Sequence, residues 1–77
     1  MNWSEQDNKL VGHFSFPDFV QAFSFLSKVA LIAEEKNHHP EIYNCYNKVT
    51  LCLSTHDAGG IVTEKDRDLA KCIDELL

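Results

Sequence analysis

The chain has 77 residues, 44% hydrophobic and 25% charged, with a net charge of −5: one domain at most, of ordinary globular composition and with a marginal core, because so short a chain buries only about 60% of the surface it exposes when unfolded. No apolar run approaches the roughly 20 residues that cross a bilayer, and Met1, Asn2, Trp3, Ser4 and Glu5 lack the basic and apolar regions of a signal peptide, so a cytoplasmic protein without a membrane partner is expected. An acidic chain with no basic patch excludes direct nucleic-acid binding and leaves a neutral small molecule or another protein as partner.

From Trp3 to Phe16 the chain predicts a hairpin, two short strands around the polar stretch Glu5, Gln6, Asp7, Asn8, with Leu10, Phe14 and Phe16 recurring at even positions. Pro17 sets a helix start, since its fixed φ suits the first helical position and its missing N–H would be unpaired there anyway. That helix runs to about Lys36. Phe19, Phe23, Leu26, Ala30 and Ala33 form its apolar stripe, and Phe25, Val29 and Ile32 widen it to a second face. So much apolar surface on one helix exceeds what a small sheet covers, and the excess predicts self-association.

Ile42 to Tyr46 forms the next short strand, followed by the polar pair Asn47 and Lys48. In the strand beyond, Val49, Leu51 and Leu53 alternate with Lys48, Thr50, Cys52 and Ser54, the pattern of a sheet with one buried face. His56 stands at its far end, and Gly59 and Gly60 mark a turn. Thr63 with Asp66 forms a capping box ahead of Leu69, Ala70, Ile73, Leu76 and Leu77, an amphipathic closing helix. The order β-β-α-β-β-α over residues 1–77 implies one α+β domain, an antiparallel sheet with helices on one face. Cys45, Cys52 and Cys72 are odd in number and share no C-x-x-C spacing, so free thiols are expected.

The chemistry-bearing residues are histidines. His13 reads as a solvated strand residue, but His38 and His39 directly follow a long helix, whose unpaired carbonyls favour a protonated imidazole. Pro40 biases His39 toward an extended backbone, so the two side chains point apart and have separate jobs. His56 converges with them if its strand runs back beside the helix end.

Three runs carry a family likeness: Ala33-Glu34-Glu35-Lys36-Asn37-His38-His39-Pro40-Glu41, Tyr43-Asn44-Cys45-Tyr46-Asn47-Lys48-Val49, and Leu53-Ser54-Thr55-His56-Asp57-Ala58-Gly59-Gly60-Ile61. Together with the aromatic junction Phe14-Ser15-Phe16-Pro17-Asp18-Phe19, the chain from Trp3 onward resembles the pterin-4a-carbinolamine dehydratases. The resemblance implies a four-stranded antiparallel sheet backed by helices, a homodimer or homotetramer, and dehydration of 4a-hydroxytetrahydrobiopterin in cofactor recycling after aromatic amino acid hydroxylation. It implies His38, His56 and His39 as catalytic, with His39, Pro40, Thr55, Glu34 and Asp66 around the substrate. Three departures stand out: nothing ahead of Trp3 corresponds to the helix that precedes the family's first strand, Ile42 replaces a tryptophan, and Val62 adds a residue before Thr63.

The substrate carries a hydroxyl and an amine nitrogen on neighbouring ring atoms. Elimination needs one proton delivered and one removed, and imidazole, with an unperturbed pKa of about 6.5, serves both directions. His38 and His56 are the expected proton-transfer pair and His39 the residue that holds the pterin. Glu34, one helical turn before His38, is placed to orient an imidazole. No cofactor is expected and no metal, because adjacent histidines before proline are awkward chelators and no Cys or carboxylate spacing completes a set. The alternative is a non-catalytic module, since animal members of this family also stabilise a homeodomain transcription factor dimer.

Overall fold

The structure is a computed structural model and describes residues 3–77. Its elements are β1 (Trp3–Gln6), β2 (Lys9–Ser15), α1 (Phe19–Lys36), β3 (Glu41–Cys45), β4 (Lys48–Leu53) and α2 (Glu64–Asp74), with a short 3₁₀ turn at His56–Ala58. The strands form one antiparallel sheet in the order β1-β2-β4-β3. This is the expected α+β domain with its helices on one face. No helix among the described residues is long and apolar enough to cross a membrane.

Turn chemistry sets the strand limits. Glu5 and Gln6 belong to β1 rather than to the turn, which consists of Asp7 and Asn8 alone, at φ 49° and 64°. Two successive left-handed residues match the twist of the flanking strands, and Asp and Asn tolerate that conformation better than most side chains. Tyr46, at φ 54°, likewise leaves β3 to turn back into β4. Asn47 ties this turn to the start of α1: its Nδ2 donates to Phe16 O, and its own carbonyl accepts from Phe16 N, both at 2.9 Å.

Helix α1 begins two positions later than the proline rule predicts, at Phe19 rather than Pro17. Asp18 is the N-cap and its side chain accepts from Gln21 N at 2.8 Å, so Pro17 lies outside the helix. A carboxylate that accepts an otherwise unpaired N–H outweighs the preset φ of the proline. The helix stops at Asn37, φ 50°, ψ 44°, whose N–H reaches Ala33 O and Glu34 O while His38 N reaches Ala33 O.

The apolar faces of α1 are partitioned differently from the predicted stripe. Ala22, Phe25, Leu26, Val29 and Ala33 are buried, whereas Phe19 and Phe23 are about half exposed, at 47% and 52%, and Ala30 faces solvent. Spacing alone does not say which of two overlapping stripes meets the sheet. The inner one packs on Leu10, Phe14, Val49, Leu51 and Leu53 and on Leu69, Ala70 and Ile73 of α2. Directly opposed pairs across β2 and β4, Leu10 with Leu53 and Phe14 with Val49, make the sheet's share of this core.

Between those pairs sits Gly12, opposite both Leu51 and Trp3. The Trp3 ring lies over it, edge-on to Phe14 at 5.5 Å, with Nε1 donating to Asp74 Oδ1 at 2.8 Å. A Cβ at position 12 would come within 2.7 Å of that ring. Gly12→Ala is therefore expected to cost about 1–3 kcal/mol by displacing Trp3. The readout is the denaturant midpoint together with tryptophan fluorescence, and an unchanged midpoint would show that the ring shifts freely.

Candidate active site

Three chain segments meet where α1 ends. His38 and His39 follow the Asn37 cap. Thr55 follows β4 and is held by a bridge to Ile61, with Thr55 N donating to Ile61 O at 2.8 Å. His56 begins the 3₁₀ turn, which closes on Gly59 at φ 88°, so the residue lies beyond the strand end rather than on it. His38, His39, His56 and Thr55 line one cleft of about 290 Å³, shared with Asn37, Ser54, Asp57 and Lys65. A larger cleft of about 460 Å³ between β1 and α2 contains no imidazole, so size alone does not mark the site.

Two of the imidazoles are held by carboxylates. His38 Nε2 lies 2.5 Å from Asp66 Oδ1, and His39 Nε2 lies 2.5 Å from Glu34 Oε1. Glu34 thus serves His39 and not its helical neighbour. The chain leaves the helix at Asn37, and the i,i+4 geometry that would direct it to His38 no longer applies. The pairs differ in surroundings. The His38 and Asp66 side chains are 13% and 0% exposed, those of His39 and Glu34 56% and 79%. Water screens the second pair and leaves it little intrinsic strength, whereas the first is dry.

Asp66 is the third residue of α2, and Val62 does not displace it from His38. Its Oδ2 accepts from Thr63 N at 2.8 Å, the carboxylate half of the predicted capping box, and from Thr55 Oγ1 at 2.8 Å. Burial pushes this carboxyl upward, but the hydrogen bonds from His38, Thr63 N–H and Thr55, with the His38 charge, outweigh it and hold the group below its ordinary value of 3.8. An ionised carboxylate can only accept, so His38 Nε2 carries the hydrogen. His38 Nδ1 is then the atom left to exchange a proton.

Of the residues expected around a substrate, His39 and Thr55 line the cleft. Asp66 lies behind His38, Glu34 braces His39, and Pro40 is not among the lining residues. The sequence reading did not single out Asn37, Ser54, Asp57 or Lys65. Asn37 has a legible signal, as a left-handed cap that must adjoin whatever follows the helix, and Lys65 has none. Among the described residues no group of three or more His, Cys, Asp or Glu is arranged to hold a metal ion.

Fold and cleft together describe a small α+β domain whose clustered imidazoles are supported by carboxylates. The family described as pterin 4 alpha carbinolamine dehydratase matches residues 1–76, and the chain belongs to that family. A Sulfurisphaera tokodaii protein provisionally named pterin-4-alpha-carbinolamine dehydratase is 53% identical over 75 residues, 97% of this chain and 80% of the relative. One from Prochlorococcus marinus with the same provisional name is 50% identical over 74 residues, 96% of this chain and 76% of the relative. The crystal structure of a transcriptional coactivator/pterin dehydratase from Brucella melitensis superposes with a TM-score of 0.90 at 39% identity, covering 96% of this chain and 80% of that one. A pterin dehydratase-like protein described as a RuBisCO assembly factor in the alpha-carboxysome superposes at 0.84 with 28% identity, covering 99% and 89%.

The depressed Asp66 carboxyl makes a pH prediction whose sign is fixed. A group with a lowered folded pKa stabilises the fold above its unfolded value, and that contribution disappears as pH falls through the folded value. Wild-type stability should decline below about pH 4, with Asp66→Asn about 2–4 kcal/mol less stable at neutral pH and flatter in acid. Denaturant titrations from pH 2 to 7 give the comparison, and parallel curves would remove Asp66 from the pH dependence.

Proposed function

We propose that the protein is a hydro-lyase that dehydrates pterin-4a-carbinolamines to quinonoid dihydropterins, 4a-hydroxytetrahydrobiopterin being the substrate expected from the sequence. The observation that carries this reading is the cleft lined by His38, His39 and His56, with His38 fixed by a buried carboxylate at 2.5 Å. Family membership supports the same class of reaction.

In this reading the nitrogen lone pair forms the C=N bond as the C–O bond breaks. One imidazole delivers a proton to the departing hydroxyl, another takes the proton from nitrogen, and water leaves with no net oxidation. His38 and His56 are assigned to the transfer. His38 offers Nδ1 because Nε2 is committed to Asp66, and the exposed His56 side chain has no hydrogen-bond partner among the described residues. His39, braced by Glu34, is assigned to hold the ring. Asp66 and Glu34 act through their histidines.

A second reading has its own observation. Phe19, Val20, Phe23 and Leu31 leave an apolar face on α1 that is 47–74% exposed, and one structural relative is described as an assembly factor. That face supports the expected homo-oligomer and equally a binding module without chemistry. Phe23→Asp should lower the mass in solution while leaving the monomer's melting temperature within a few degrees, because the side chain is half exposed already. Sedimentation and calorimetry test this, and a lost fold would place Phe23 in the core instead.

The catalytic reading is tested by the rate of quinonoid dihydropterin formation from a synthetic carbinolamine, with a chelator present throughout. His56→Ala should lower kcat by about 10²–10⁴ with stability unchanged, and His39→Ala should mainly raise KM. His38→Ala should lower kcat as much while also losing about 3–5 kcal/mol of stability, because Asp66 is left unpaired, so its rate is read where the variant is still folded. A folded wild-type protein that does not exceed the spontaneous rate would leave the binding-module reading in possession.

A further inference from the structure

Beside Asp66 lies a pair of hydroxyls that the proposed proton transfers leave unused. Thr55 is 6% exposed, and its Oγ1 lies 2.8 Å from Asp66 Oδ2 and 2.5 Å from Thr63 Oγ1. Thr63 N donates to the same Oδ2. Their donor directions follow from what each group can supply. An ionised carboxylate only accepts, so Thr55 gives its single hydroxyl proton to Asp66. Thr55 Oγ1 must then accept in its contact with Thr63, whose hydroxyl donates. The donors run from Thr63 to Thr55 to Asp66, and His38 completes the set at Oδ1.

We propose that Thr63 and Thr55 are positioning residues for His38: their hydroxyls aim Asp66 and thereby fix the imidazole in its Nε2–H tautomer, with Nδ1 open to proton exchange. A buried carboxylate stays charged only while donors surround it. Without the Thr55 hydroxyl, Oδ2 keeps the Thr63 N–H alone, and the carboxyl moves toward its protonated form. A protonated Asp66 reverses the hydrogen bond to His38, so that Nε2 accepts and the imidazole proton moves to Nδ1. The transfer atom is then blocked at the start of the reaction as base.

Helix capping does not account for this arrangement by itself. The capping box uses the Thr63 N–H on Asp66 Oδ2 and the Thr63 hydroxyl as acceptor toward the Asp66 N–H, whereas the proton of that hydroxyl goes to Thr55 Oγ1, a contact the cap does not need. His38 is the titratable side chain paired with Asp66 among the described residues, and Lys36, Lys65 and Asp68 share a second groove with His38, Lys65 lining the histidine cleft as well. Those three groups are common to wild type and threonine variants, so a change confined to the variants reports the hydroxyl chain.

The consequence for turnover rests on the dehydratase reading, but the consequence for the tautomer does not. Imidazole ¹⁵N shifts of wild type, Thr55→Val, Thr55→Ser, Thr63→Ala and Thr63→Ser are to be measured from pH 5 to 9, beside kcat and KM for a carbinolamine. Wild-type His38 should show a protonated Nε2 and a bare Nδ1 once neutral. Thr55→Val and Thr63→Ala should populate the Nδ1–H tautomer, lower kcat roughly ten-fold with little change in KM, and move the acid limb of the kcat profile to higher pH. The serine variants should restore all three. Wild-type His38 in the Nδ1–H form would overturn the proposal even if no variant folded, and so would folded Val and Ala variants with wild-type tautomer and pH profile. The expected tautomers without turnover in any protein would uphold the hydroxyl chain and sink the dehydratase reading.

Discussion

One buried contact, His38 with Asp66, joins the end of the first helix to the start of the second. The carboxylate is fully buried, which by itself is unfavourable, and it is compensated by three donors from three different segments. Two of those donors belong to the fold, through the bridge that anchors Thr55 and the N-cap of α2, and the third belongs to the cleft. Removing one partner from a buried pair typically costs about 3–5 kcal/mol, against roughly 4–12 kcal/mol for the total stability of a domain this size. The cleft is therefore part of what keeps the two helices together, and folding and the proposed chemistry would constrain the same side chain.

The rest of the scaffold works to bring that contact about. Asn37 ends α1 in a left-handed conformation, so the chain turns sharply and His38 emerges beside α2. The β2–β4 ladder places Leu53 opposite Leu10, and the chain after β4 crosses back to the helix ends. The bridge from Thr55 to Ile61 then pinches the intervening residues into a loop, whose 3₁₀ turn presents His56. A rigid sheet thus delivers one imidazole from a loop, and a capped helix delivers the other two.

Much of this was legible in the sequence, and the failures share a physical cause. The alternation of Val49, Leu51 and Leu53 marks a one-sided sheet, because period two leaves only one choice of face. Thr63 and Asp66 mark a cap because their spacing has a local geometric meaning. On α1 the apolar residues fill two overlapping stripes, and only contact with the sheet decides that Phe25 and Val29 go inward while Phe19 and Phe23 stay out. Which imidazole Glu34 would orient stayed open in the sequence for a similar reason. Helical spacing held up to Lys36, but the histidines lie beyond the helix end, where three-dimensional path replaces periodicity. Family likeness put the three histidines and Asp66 on one list, but no feature of the sequence says that Thr63 turns its hydroxyl toward Thr55.

The contrast between the two carboxylate pairs fits the separate roles proposed for the imidazoles. A dry pair keeps its geometry and its direction of donation, because an alternative arrangement would strand a charge out of water. A wet pair reorients at little cost, since water replaces either partner. His38 is therefore suited to a transfer that depends on one defined nitrogen, and His39 to a contact that adapts to whatever enters the cleft. His56, at the start of a short loop with no fixed partner among the described residues, has the most freedom to follow a ligand. Confining rigidity to one imidazole also suits so small a core, because each further buried ion pair adds a desolvation cost that needs its own set of donors.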